Sequence, residues 1–319
     1  MFDENLLDIR PEVKLQVLNK LPENPEAGTG RFPSWLHLNI PKGGALFQTN
    51  AVLEKYGLNT VCEEAKCPNR MECYSKKTAT FLALGKTCTR NCGFCSIDFS
   101  KTPPLLEADE PDRIAASVKE LGLKHVVITM VARDDLSDGG AHQIAAIIRK
   151  VREQTTSTIE VLTSDFEGNF ASIDIVLNEN PEVFNHNLET VRSFSPRVRH
   201  KATYDRTLAV LRHVKASGKV EFVKSGIMVG LGETVSQVEE TLRDLKAVGC
   251  DILTIGQYLQ ADRRKLLVKS FISPAQFKAY EEYGISLGIK QMYCGPFVRS
   301  SYHADEVKSK ASNLDSCRL

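Results

Sequence analysis

Six of the nine cysteines fall between Cys62 and Cys95, in two groups of three. Cys62, Cys67 and Cys73 form a Cys-x4-Cys-x5-Cys run, and Cys88, Cys92 and Cys95 form Cys-x3-Cys-x2-Cys inside KTCTRNCGFCSID. Closely spaced thiolates are a ligand set for soft metals and iron–sulfur clusters. Structural zinc closes a tetrahedron with four ligands, commonly as Cys-x2-Cys pairs, whereas each group here is a triplet. A four-iron cubane held by three cysteines keeps one iron for a non-cysteine ligand, which suits a cluster that does chemistry better than one that only carries electrons. The spacing favours iron–sulfur clusters in both groups, with zinc as the alternative. Cys250, Cys294 and Cys317 are scattered. Cys250, in the apolar run VGCDILTIG, reads as a small buried hydrophobe, and Cys294 as a non-ligand.

The whole chain must position these groups. It has 319 residues, 42% of them hydrophobic and 25% charged, which is ordinary globular composition. With 41 basic and 40 acidic side chains, the net charge of +1 gives no global electrostatic case for nucleic-acid binding. No apolar run is long enough to span a membrane, and the start, MFDENLLDIR, does not read as an export signal. A cytoplasmic location is the expectation, and there nine cysteines are not a disulfide framework.

Up to about residue 78 the sequence reads as an irregular, extended arm, rich in Pro and Gly around NPEAGTGRFPSWLHLNIPKGG. From there, short apolar runs (ATFLALG, HVVITMV, TIEVLTSD, EVFNHN, EFVKSGIMVG, DILTIGQYL) alternate with helical segments near 110–121, 139–153, 168–178, 203–217, 234–249 and 274–288. Ala141, Ile144, Ala145, Ile148 and Val151 recur at helical spacing, and Ser273-Pro274 is a helix start. About six strand–helix units imply an α/β fold with a parallel sheet. A doubly wound sheet and a β/α barrel both fit, and six units favour a partial, incomplete barrel. The expected division is an N-terminal arm and cysteine-bearing extension (1–77), the barrel (78–290) and a C-terminal segment (291–319). The Cys88 group follows the first strand and so falls at the C-terminal mouth of the sheet.

Cys-x3-Cys-x-aromatic-Cys, with Phe94 as the aromatic, placed after a first strand of repeated strand–helix units, resembles the radical S-adenosylmethionine superfamily. Read outward, FPSWL, the upstream triplet, CTRNCGFC, VARDDLSDGG, FNHNLETV, KSGIMVGLGET and RSSYHA resemble the lipoyl synthase family in order and spacing, from about Pro33 to Ala304. The resemblance implies S-adenosylmethionine and two [4Fe-4S] clusters as cofactors. The cluster on Cys88, Cys92 and Cys95 would chelate S-adenosylmethionine and deliver the electron that yields a 5′-deoxyadenosyl radical. The auxiliary cluster on Cys62, Cys67 and Cys73 would take Ser301 of the Arg299-Ser300-Ser301-Tyr302 motif as its fourth ligand and supply the sulfur. The implied reaction inserts sulfur at C6 and C8 of an octanoyl chain on a lysine of a partner. The partners would be lipoyl domains of 2-oxoacid dehydrogenase acyltransferase subunits and the glycine-cleavage H protein, with ferredoxin or flavodoxin as electron donor and neither nucleic acid nor membrane involved. No catalytic side chain is expected, because no ordinary base removes a hydrogen from an alkane; the protein binds, orients and excludes.

The remaining motifs each have a bland alternative. Gly226, Gly230 and Glu233 in GIMVGLGE are cofactor candidates, by resemblance on the adenine side, or a plain strand-to-helix turn. Asn187 and Glu189 in FNHNLETV could face the methionine and ribose parts of the cofactor, or Asn187 could be a helix cap and His186 a structural histidine. Arg133, Asp134 and Asp135 read as a turn, with acid–base work by the paired carboxylates as the alternative. The basic segments SPRVRHKATYDR and DRRK are solvated faces or a docking site for an acidic carrier domain. Leu259-Gln260-Ala261-Asp262 departs from the family's Leu-Gln-Pro-Ser, which puts that loop's conformation in doubt, and Ala132 stands where Asp is frequent. A biotin-synthase-like enzyme would share the Cys88 triplet but lack the upstream triplet and the RSSY ending. An electron-carrying protein or a zinc-stabilised module would not need the six-unit scaffold.

Overall fold

The computed structural model describes residues 32–37, 45–76 and 78–301. The first ten residues and Cys317, and the chain from Tyr302 on, lie outside this set. Helices α1 (Ala45–Lys55), α2 (Val61–Glu64) and α3 (Arg70–Ser75) precede β1 (Thr80–Ala83), β2 (Thr87–Cys88) and β3 (Asp98–Phe99). Then follow α4 (Glu110–Leu121), β4 (His125–Met130), α5 (Ala141–Gln154), β5 (Thr158–Leu162), α6 (Phe170–Leu177), β6 (Val183–Asn185), α7 (Ser195–Val198), α8 (Tyr204–Ser217), β7 (Phe222–Val229), α9 (Val235–Ala247), β8 (Ile252–Gln257), α10 (Pro274–Ser286) and β9 (Gln291–Gly295).

The large sheet has seven strands in the order β1-β4-β5-β6-β7-β8-β9, and every pairing is parallel. No strand order reverses, so the chain winds in one sense. Right-handed crossovers then put the helices side by side on one face. That is a partial β/α barrel, open between β1 and β9, and it removes the doubly wound alternative. The six expected helices all form. The seventh strand, Gln291–Gly295, goes beyond the six expected units.

One expectation is corrected. Part of the arm is helical: Leu46, Thr49 and Leu53 of α1 turn one face inward, and Thr49 donates to the Tyr74 carbonyl at 2.9 Å. The Pro/Gly-rich stretch that suggested an extended arm ends just before it.

Side chains alternate across the sheet. Val126, Ile128, Ile159, Val161, Phe184, Val223, Leu253 and Ile255 face the helices in the main core. The concave face is different. Val183, Phe222 and Ile252, with Tyr293 against them, plug its lower end. Above them Lys224 pairs with Glu160 at 2.9 Å, and Asn185 donates to the same carboxylate at 2.9 Å. Gly226, Gly256 and Gly295 share this concave face and let Thr254, Asn187 and Val298 close against it. Among the described residues no helix is long and apolar enough to cross a membrane.

Candidate metal centre and cofactor site

The turn after β1 is tight: Leu84 and Gly85 have φ of 68° and 85°. Glu110, in the first turn of α4, accepts from the Leu84 amide at 3.0 Å and so holds the turn shut. The Cys88 loop then returns to the mouth. Thr89 donates its amide to the Ala132 carbonyl at 3.0 Å, and its hydroxyl accepts from the Asp134 amide at 3.0 Å. Arg90, buried between Cys88 and Cys92, pairs with Asp134 and with Asp165, each at 2.7 Å. One guanidinium thus ties the loop to the ends of β4 and β5. Both carboxylates are held below their ordinary range by Arg90, against the opposing effect of burial.

The upstream triplet sits beside this loop. Thr60 caps α2, accepting from the Glu63 amide, and its hydroxyl meets the Tyr74 hydroxyl at 2.6 Å. Thr60 also bridges to Phe81 of β1, so the triplet is docked on the first strand. Ser96, next to Cys95, donates to the carbonyl of Glu64, between Cys62 and Cys67, at 2.9 Å. The two cysteine loops therefore touch.

Within each triplet the thiols lie close enough to act on one another electrostatically. Burial, reinforced by those neighbours, pushes Cys62 and Cys92 up to about 11, and Cys73 and Cys95 up to about 12. Such thiols stay protonated until a metal takes the proton's place. Among the described residues no three His, Cys, Asp or Glu side chains converge on a single-ion point. Cluster thiolates bind different irons and need no such point. All eight described cysteines are free thiols. The donor set fits an iron–sulfur cluster at each triplet.

The C-terminal segment reaches the upstream triplet. Asn69, between Cys67 and Cys73, donates its side-chain amide to the Phe297 carbonyl at 2.6 Å. Its backbone amide donates to the Cys67 sulfur, and Arg299 lies near that sulfur. Gly256 of β8 has the Val298 carbonyl against it: a Cβ there would sit 2.0 Å from that oxygen. Ser301 is half-buried and ends the described chain two residues past Arg299.

The cofactor candidates divide. Buried oxygens of Thr163, Asn185 and Asn187, at the ends of β5 and β6, have no partner in the chain. A polar ligand in the mouth would satisfy them. Glu189 adopts φ of 69°, in the left-handed region, and bridges to Ile227. Burial raises its carboxyl, while Arg199 and a hydrogen bond from Asn187 act against that rise. Gly226 has Thr254 and Asn187 against it, and Gly230, at φ 103°, has Gln257 and Ser270 against it. The Glu233 carboxylate accepts from the amides of Gly230 and Leu231. These three therefore have structural work within the chain, whatever else they contact.

His186 is structural. Its Nδ1 meets the Thr163 carbonyl at 2.9 Å and its Nε2 the Thr207 hydroxyl at 3.2 Å. Burial, then Arg199, push its pKa down to about 4, so the ring is neutral; Nδ1 donates to the carbonyl, and Nε2 is left to accept from the hydroxyl. Asn187 caps no helix. Asp134 and Asp135 form ion pairs, with Arg90 and with Arg133, beyond the turn expected of them. Sequence reasoning missed two residues. Arg199 is not on a solvated face: it is 7% exposed and donates to the Asn187 carbonyl at 2.5 Å. Arg90 is the other: a charge between Cys88 and Cys92 in a buried loop needs carboxylate partners, and the sequence pattern does not show which they are.

The Radical SAM superfamily profile matches residues 82–245. The chain is 60% identical over 312 residues to the lipoyl synthase of Protochlamydia amoebophila (strain UWE25), covering 95% of this chain and 96% of that one. The chain belongs to the lipoyl synthase family. It is also 50% identical over 287 residues to the lipoyl synthase of Chlamydia felis (90% and 92% covered), and 47% over 304 residues to that of Symbiobacterium thermophilum (95% and 94%). Among solved structures, methylornithine synthase aligns with a TM-score of 0.51 at 14% identity, over 75% of this chain and 81% of that one. Streptococcus suis SuiB aligns at 0.53 and 13%, over 82% and 55%. These likenesses concern the fold alone. The family membership makes the protein a radical S-adenosylmethionine enzyme, with S-adenosylmethionine and a [4Fe-4S] cluster as its cofactors.

Proposed function

We propose that the protein inserts two sulfur atoms, at C6 and C8, into an octanoyl chain carried on a lysine of a lipoyl domain or H protein. The observation that carries this is the contact between two cysteine triplets at one barrel mouth, joined by Ser96 and Glu64. One cluster for radical generation beside a second that can be consumed is what sulfur insertion at an unactivated carbon needs.

Cys88, Cys92 and Cys95 would hold the first [4Fe-4S] cluster, and Cys62, Cys67 and Cys73 with Ser301 the auxiliary one. When bound, the first cluster and S-adenosylmethionine supply the hydrogen-abstracting radical that no side chain can provide. The chain's own part is placement. Arg90 fixes the first loop to β4 and β5. Asn187, Glu189 and Arg199 present an amide oxygen, a carboxylate and a guanidinium at the end of β6, matching the charged amino-acid end of the cofactor. Gly226, Gly230 and Glu233 shape the wall on the adenine side. A hydroxyl is a weak ligand for iron beside thiolate, so Ser301 would leave one iron easy to release.

This reading divides the chain into a cysteine-bearing extension (1–77), a barrel (78–290) and a ligand-bearing C-terminal segment (291–319). It takes an electron from a ferredoxin or flavodoxin and places the protein in the cytoplasm. The test is isotopic. Protein whose upstream triplet is reconstituted with labelled sulfide, given an octanoyl-lysyl peptide, yields product carrying that label in both positions. Unlabelled sulfur in the product would sink the donor assignment.

A further inference from the structure

The loop that carries Cys92 also has an outer side. Gly93 donates its amide to the Val198 carbonyl at 3.0 Å, and its own carbonyl accepts from the Leu266 amide at 3.0 Å. A Cβ on Gly93 would stand 3.1 Å from Leu266 and 3.2 Å from the Arg197 carbonyl. Two basic segments far apart in sequence, SPRVR and DRRK, are thus fastened to one residue beside a ligand cysteine. Lys265 adds a bond to Asn91 of the same loop at 3.2 Å.

The resulting face is cationic. Lys101, Arg197 and Arg263 are exposed, and no carboxylate among the described residues pairs with them. Its acids are engaged: Asp262 with Arg264 at 3.0 Å, Asp134 with Arg90 and Lys201, Asp135 with Arg133, while Asp98 lies near Arg264. Leu267 is 61% exposed and Phe99 46%, which adds some apolar contact surface to the charged one.

We infer that this face docks an acidic, one-electron carrier protein of low potential, which reduces the cluster held by Cys88, Cys92 and Cys95. The inference rests on the assignment of that cluster in the proposed function. Charge complementarity defines the partner, and the position over Cys92 and Gly93 defines its task. An electron needs only a short path through the loop, with no opening into the barrel. An acyl-lysine arm needs an apolar entrance. The cavity of about 500 Å³ beside this face, with Phe99, Lys101, His200 and Lys201 in its wall, is not closed to such an arm, so the position over Cys92 and Gly93 is what favours the electron carrier. The step is a simple transfer: the reduced carrier loses one electron, the cluster gains it, and no bond forms or breaks.

The test uses reconstituted holoenzyme bearing Arg197→Glu with Arg263→Glu, and a reduced flavodoxin as probe. Stopped-flow oxidation of the flavin should slow about 10- to 100-fold at low ionic strength, and its affinity for the enzyme should fall with it. In roughly 0.5 M salt the difference from wild type should largely vanish. Deoxyadenosine formation with dithionite as reductant, and the KM for an octanoylated lipoyl domain, should not change. An unchanged flavin rate overturns the inference. So does a defect confined to the KM for the lipoyl domain, which would make this the substrate-carrier face instead. Wild-type protein that takes up no electron even from dithionite overturns the cluster assignment and the inference together.

Discussion

Replacing Gly256 with alanine would separate the two halves of the proposed reaction. The new Cβ would lie 2.0 Å from the Val298 carbonyl oxygen, where anything under 3.0 Å forces a shift and ordinary contact begins at 3.4 Å. Strand β8 cannot yield, because Gly256 is held between Met228 of β7 and Gly295 of β9. The C-terminal segment must therefore retreat by about 1 Å or more, and with it Ser301, while Asn69 loses its grip on Phe297. A misplacement of about 1 Å in a reacting group can cost about 100-fold in rate, and overpacking of this size costs about 1–3 kcal/mol of stability. The Cys88 loop is built on β1, β4 and β5 and is not touched. The expected outcome is a folded variant that forms 5′-deoxyadenosine within about threefold of wild type but makes about 100-fold less sulfur-containing product. Both are read from one anaerobic single-turnover reaction by mass spectrometry. Parallel loss of deoxyadenosine and product, or no loss of either, would refute the reasoning.

Arg90→Met should destabilise the protein by about 1–3 kcal/mol, because Asp134 and Asp165 lose the buried guanidinium they share and keep only the more exposed Lys201 and Arg206; denaturant unfolding measures this, and a change below about 0.5 kcal/mol contradicts it. Asn187→Ala should weaken S-adenosylmethionine binding about tenfold in equilibrium binding to the reconstituted protein, because its free side-chain oxygen is lost, and should also cost about 1–3 kcal/mol in unfolding, because the buried Glu189 carboxyl loses its hydrogen bond from Asn187. The neutral His186, flanked by Arg199, Asp165 and Arg90, sets a pH dependence. Its folded pKa of about 4 lies below the unfolded value, so the unfolded chain binds the extra proton and stability falls as pH drops from about 6.5 towards 4. That amounts to about 2 kcal/mol between pH 7 and pH 5, and His186→Asn should remove this part of the slope in thermal unfolding scans.

The cysteine triplets and six helices were legible because both are local signals, one of chemistry and spacing, the other of period. The seventh strand was not. QMYCG is short and holds Tyr293 and Cys294 half-exposed, so it lacks the apolar run that marks the other strands. Arg199 hid in a basic segment, where a charge is by default on the surface; only the fold shows that it turns inward to Asn187. Gly256 carried no sign at all in its own neighbourhood, since the reason for it is Val298, which reaches it from beyond β9. Those three misses share a cause: the partner that gives each residue its role is supplied by tertiary structure.

The central claim is that two clusters at one mouth divide radical generation from sulfur supply. Anaerobic reconstitution with iron and sulfide, followed by a single turnover on an octanoyl-lysyl peptide, tests it most directly. Wild type should bind about eight irons and give both 5′-deoxyadenosine and lipoyl product. With Cys62, Cys67 and Cys73 replaced together, about four irons should remain, deoxyadenosine should still form, and lipoyl product should be absent. Lipoyl product from that variant, or zinc in place of iron in the wild type with no cleavage of S-adenosylmethionine, would contradict the account.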